Sequence, residues 1–147
     1  MFEGELGIVI GKACGAAPEA LALDRVFGYT CANDVTAAEI LTRDASFTQG
    51  SRAKGFDTFC PMGQAVATGL DPSTLSVTTL LNAERRQHFP VSDMRSSVAQ
   101  RVSLISFDMT LFHGDVILCG TSVGVERVLP DSTVEIIGIG RLGNRFG

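Results

Sequence analysis

The chain has 147 residues and a formal charge of −4, with 12 Lys and Arg against 16 Asp and Glu. That length fits a single domain, residues 1–147, able to bury a core of its own, and the mild acidity argues against a partner that is nucleic acid or anionic membrane. No apolar run is long enough to span a bilayer, no basic segment followed by an apolar one marks a secretory signal at Met1-Phe2-Glu3, and Cys14, Cys31, Cys60 and Cys119 lack the Cys-x-x-Cys spacing of a zinc site, so free thiols and a cytoplasmic location are expected.

Glu3 to Ile10 reads as a strand. Side chains alternate across a strand, so Glu3 and Glu5 project from one face. Two carboxylates that close repel unless a proton or a cation stands between them. Gly11 to Gly15 is a turn, and Ala16 to Leu23 fits a short helix with Pro18 near its first position. Val26 to Cys31 is a buried strand, ended by Asn33 and Asp34. Val35 to Leu41 follows as a short helix, for which Asp34 is a candidate cap. A strand-end carboxylate facing a helix start is also a frequent ligand position. With Glu3 and Glu5, Asp34 could supply three hard oxygen donors of the kind that hold magnesium or manganese; by spacing alone, an exposed polar strand edge is the favoured alternative.

Arg43 to Ser51 is polar and reads as a loop; Lys54 stands just beyond it, and Cys60-Pro61-Met62-Gly63 is a turn. Gln64 to Thr68, Ser76 to Asn82 and Arg86 to Val91 read as strands, the last two joined by a hairpin turn in which Ala83 occupies a position suited to glycine. Val98, Val102 and Ile105 recur at helical spacing, with Ser92 a candidate cap. Val116 to Cys119, Thr133 to Ile139 and Arg141 to Phe146 are the remaining strands, and Gly120-Thr121-Ser122 is a small-residue loop. His88 lies in a polar strand and is read as an exposed side chain.

Five ordered segments carry a resemblance over nearly the whole chain. They are Glu3-Gly-Glu-Leu-Gly-Ile-Val-Ile-Gly11, Gly28-Tyr-Thr-Cys-Ala-Asn-Asp-Val-Thr-Ala37, Lys54-Gly-Phe-Asp-Thr-Phe-Cys-Pro61, Ser92-Asp-Met94 and the run from Met109 to Thr121. The chain resembles the fumarylacetoacetate hydrolase family. The resemblance implies an α+β, mostly β fold: a mixed β-sheet sandwich or barrel-like roll with a few short helices. It places metal ligands at Glu3, Glu5 and Asp34, implying Mg2+ or Mn2+. It puts Lys54 in the site as the catalytic cation, and Lys54, Thr58 and Thr121 against the substrate.

The departures from the family pattern matter equally. Many members carry an arginine and a glutamine where this chain has Ala38 and Leu41; Ser122 and His113 stand where proline is usual. Losing an arginine fork removes a charged hydrogen bond worth about 1.5–3 kcal/mol. In several members a preceding segment carries a His-Glu acid/base pair, and neither His88 nor His113 matches it. The expected activity is metal-dependent C–C cleavage of a small 2-oxo acid or 1,3-diketone, by hydrolysis or decarboxylation. The alternatives are a catalytically weakened member and a structural, dimer-forming module. A homo-oligomer is expected.

Overall fold

Alternation in the first strand sets the architecture. The computed structural model describes residues 1–131 and 133–147, leaving aside the side chains of residues 133–136. Strand β1 (Gly4–Ile10) turns Leu6, Ile8 and Ile10 to one face and Glu5, Gly7 and Val9 to the other. Leu6, Ile8 and Ile10 are almost wholly buried and sit at the centre of the core. Full burial of each contributes about 1.5–3 kcal/mol.

Strand β1 lies between β2 (Val26–Asn33) and β5 (Val116–Leu118), antiparallel to both. A second sheet has the order β4-β3-β6-β7, formed by β3 (Ser76–Leu81), β4 (Glu84–Pro90), β6 (Thr133–Gly138) and β7 (Gly140–Arg145). Val77, Leu81, Phe89 and Leu142 of this sheet join the β1 and β2 side chains in one apolar cluster. Helix α4 (Val98–Asp108) adds Val98 and Val102 to it. The α+β, mostly β expectation holds. Pairing is antiparallel between all described strands, where a mixed sheet is the expectation from sequence. The β3–β4 and β6–β7 connections are too short for anything but antiparallel neighbours.

Local differences have local causes. The first helix is narrower than expected: α1 (Glu19–Ala22) begins after Pro18 and passes into a 3-10 turn over Leu23–Arg25. Helix α2 (Ala38–Leu41) is one turn long, and Asp34 does not cap it; the cap position is Ala37, without a side-chain bond. The polar loop after Arg43 ends in an unexpected helix, α3 (Gly50–Lys54). Residues 64–68 form no strand, only an isolated bridge of Ala67 to Tyr29. Ser92 lies in a 3-10 turn, and the cap of α4 is Ser97, which forms a capping box with Gln100. Asn82 and Ala83 both adopt positive φ in the β3–β4 turn, so the alanine there is strained as its position suggests. Among the described residues no helix is long and apolar enough to cross a membrane.

Candidate metal centre

Register builds the site. Gly4 pairs with Asn33 and Glu5 with Ala32, so continuing the ladder outward sets Glu3 opposite Asp34. The Asp34 N–H donates to the Glu3 carbonyl at 2.9 Å, which closes that last rung. Glu3, Glu5 and Asp34 therefore share the face of β1–β2 that points away from the apolar core. Each offers a carboxylate oxygen within 4.8 Å of the others.

Neighbouring groups fix each carboxylate. Thr36 donates its hydroxyl to Glu3 Oε1 at 3.1 Å, and Asn33 Oδ1 accepts the Glu3 N–H at 3.2 Å. The Met1 amino group donates to the Thr36 carbonyl, and the Thr36 N–H to the Met1 carbonyl, so residues 33–36 clamp the start of the chain. Glu5 is 2% exposed and accepts the Gly120 N–H at 2.6 Å. Burial raises the Glu5 carboxyl from 4.5 to about 7; the Gly120 bond opposes this, and the charges of Asp34 and Glu3 add to it.

Lys54, the last residue of α3, reaches the cluster. Its Nζ donates to Glu3 Oε2 at 3.1 Å and to Asp34 Oδ2. Desolvation pulls its pKa down, but the bonds and charges of Asp34 and Glu3 outweigh that and hold it above the ordinary lysine value. An ammonium drawn against two of three carboxylates marks the place as attractive to cations. An all-oxygen, three-carboxylate donor set fits a hard divalent ion.

The two threonines are placed differently. Thr121 Oγ1 donates to the Gly4 carbonyl at 2.9 Å and accepts from Gln87 Nε2 at 3.0 Å. Its hydroxyl proton is thus committed to β1. Thr121 also lines a cavity of about 270 Å3 with Phe89, Arg95, Arg101 and Cys119. Thr58 is exposed, adopts φ 67°, and lines a separate cavity of about 480 Å3 with Val35, Pro61 and Arg145, which none of the three carboxylates lines. Sequence reasoning missed several neighbours. Cys60 feels the charges of Asp34 and Glu5, which add to burial in raising its thiol. Thr36 braces Glu3, and Gln87 holds the loop after Gly120. Arg95 and Arg101 add cations beside Thr121, where the sequence points to Lys54 alone. The Thr of Asn-Asp-Val-Thr was the available signal for Thr36; for Gln87 it was the alternation that puts it on one face of β4 with Phe89.

Three comparisons bear on this geometry. Protein Rv2993c of Mycobacterium tuberculosis is 45% identical over 148 residues, covering 97% of this chain and 55% of its own. Oxaloacetate tautomerase YisK of Bacillus subtilis is 41% identical over 129 residues, covering 86% of this chain and 42% of its own. The crystal structure of fumarylpyruvate hydrolase from Pseudomonas aeruginosa, in complex with Mn2+ and pyruvate, superposes with a TM-score of 0.93 at 26% identity, covering 99% of this chain and 64% of that one. The chain spans about half the length of the curated relatives it matches, 55%, 53% and 60% of the first three. The family model described as fumarylacetoacetate (FAA) hydrolase C-terminal matches residues 1–147, and with that match the sheet, the carboxylate triad and the relatives converge: the chain belongs to the fumarylacetoacetate hydrolase family.

Proposed function

We propose that the chain is the catalytic part of a divalent-metal-dependent enzyme that cleaves a C–C bond in a small 2-oxo acid or 1,3-diketone. The observation that carries this reading is the convergence of Glu3, Glu5 and Asp34 within 4.8 Å. The relative solved with Mn2+ and pyruvate supports both the ion class and the substrate class. Glu3, Glu5 and Asp34 would hold Mg2+ or Mn2+. Bound there, the ion would act as a Lewis acid toward a chelated carbonyl oxygen.

The chain's own groups divide the remaining work. Lys54 supplies positive charge to an oxyanion developing beside the carboxylates. As a point charge it offsets charge but fixes orientation poorly, so with Ala38 and Leu41 in place of an arginine and a glutamine, substrate selection is loose. Thr121 acts through the turn it braces, because its hydroxyl proton is spent on Gly4. Thr58 enters as a substrate contact on motif position alone.

A second reading is keto–enol tautomerisation of a 2-oxo acid, favoured by the 41% identity to an oxaloacetate tautomerase. It needs proton transfer but no activated water. Hydrolysis needs a base for that water, and His88, occupied by Thr78 on an exposed strand face, does not serve the carboxylate site. Metal-dependent turnover of a panel of acylpyruvates and oxaloacetate, each scored for cleavage, decarboxylation and enol decay, separates the readings. No turnover of any member with Mg2+ or Mn2+ would leave the weakened or structural alternative.

A further inference from the structure

Gln87 stands on β4, in the other sheet from the carboxylates, and is 3% exposed. Its Nε2 faces three acceptors in one turn: Thr121 Oγ1 at 3.0 Å, the Ser122 carbonyl at 2.8 Å and the Val123 carbonyl at 3.2 Å. Its Oε1 is buried without a hydrogen-bond partner, and so is Oγ1 of Thr79, its cross-strand neighbour. A buried, unpaired carbonyl oxygen costs stability, and an apolar side chain of similar size avoids that cost. Packing therefore explains Gln87 poorly. What its amide grips explains it well.

The gripped turn is built to lie on β4. Gly120 and Gly124 bracket it, both at positive φ. A Cβ on Gly124 would fall 2.5 Å from the Arg86 carbonyl oxygen, so only glycine lets the turn approach the strand that closely. The other side of the turn faces β1: the Gly120 N–H meets Glu5 Oε2, and the Thr121 hydroxyl meets the Gly4 carbonyl. Two sheets are thus joined through one turn, with Gln87 at one end and a carboxylate of the candidate site at the other.

We propose that Gln87 is a positioning residue: by anchoring residues 121–123 on β4 it holds the Gly120 N–H against Glu5 and so orients that carboxylate for cation binding. The cation half of this rests on the metal reading above; the anchoring half does not. Groups that orient a ligand from outside the coordination sphere commonly govern about 10–100-fold in affinity.

The experiment compares the parent with Gln87→Leu, Gln87→Met and Gly124→Ala. Amide hydrogen exchange at Gly120 reads the anchoring without metal, with Gly7 in β1 as the internal standard. Calorimetry and the electron paramagnetic resonance spectrum of bound Mn2+ read the site, and urea unfolding reads the fold. In Gln87→Leu the urea midpoint stays at or above the parent's, Gly120 exchange rises at least tenfold over Gly7, Mn2+ binding weakens about 10–100-fold, and the Mn2+ spectrum changes shape. Gln87→Met repeats this should the leucine variant not fold, and Gly124→Ala reproduces the exchange change from the far side of the contact. Unchanged Gly120 exchange in a folded Gln87 variant overturns the proposal. So does lost stability with Mn2+ affinity and spectrum unaltered. A parent that binds no Mn2+ refutes the metal reading instead, and Gly120 exchange then decides the anchoring by itself.

Discussion

Replacing Glu5 by Gln should stabilise the metal-free protein and abolish the proposed cation binding. Glu5 is buried beside Glu3 and Asp34, with the Gly120 N–H as its hydrogen-bond donor. Its carboxyl is raised from 4.5 to about 7. A raised acid is favoured protonated in the folded chain, so its contribution is intact below pH 4.5 and is lost as pH rises through about 7. The displacement corresponds to about 3 kcal/mol of folding free energy lost by pH 8. A glutamine keeps an acceptor for Gly120 and carries no charge. In chelator at pH 8, Glu5→Gln should therefore unfold at higher urea, by about 1–3 kcal/mol, and the difference should vanish at pH 4. Saturating Mn2+ should reverse the order. A ligand at a thousand times its dissociation constant stabilises the parent by about 4.1 kcal/mol, more than the variant's lead, and the variant, lacking a charged donor, gains little. Parallel stability curves for parent and variant from pH 4 to pH 8 in chelator would refute the electrostatic reasoning. Equal Mn2+ stabilisation of both would refute Glu5 as a ligand.

Three further outcomes are expected. Lys54→Met keeps most of the side-chain stem but removes the charge against Glu3 and Asp34, and should lower turnover about 10²–10³-fold; a loss below threefold, with circular dichroism unchanged, would make Lys54 a surface charge. Ser97→Ala removes the capping box of α4 and should cost about 1 kcal/mol in urea unfolding with Mn2+ affinity untouched; no cost would mean that tertiary packing alone holds the helix start. Leu104, Phe107, Met109 and Phe112, within nine residues of one another, are each 60% or more exposed, apolar side chains that a second copy would cover, so solution scattering at micromolar concentration should give a mass above the 15.6 kDa of one chain, and a strictly monomeric mass would count against the expected homo-oligomer.

Strand periodicity was legible without coordinates. It puts Glu3 and Glu5 on one face, and it makes Leu6, Ile8 and Ile10 the core face, because both follow from a two-residue repeat in a single strand. The β3–β4 hairpin and the awkward Ala83 were legible for the same reason: turn chemistry is local. What joins the strands is not local. Local spacing leaves Asp34 either as a cap of α2 or as a ligand, and only the resemblance favours the ligand; the antiparallel register brings it opposite Glu3, by pairing Gly4 with Asn33. Lys54 looks like the end of a polar loop until α3 forms and carries its ammonium to two carboxylates. Gln87 looks like one more polar residue of an exposed strand beside Arg85, Arg86 and His88. Alternation sets it on the inward face of β4 with Phe89, opposite Thr79, but what its amide grips is a turn more than thirty residues later that, free of a Cβ at Gly124, lies down on β4. The sequence could therefore determine the acidic pair and the face that carries it, since one strand's pleat suffices for both. The resemblance named Asp34 and Lys54, but their convergence on that pair, and the anchor of the Glu5 turn, were decided by tertiary structure, since each depends on which distant segments pack together and in what register.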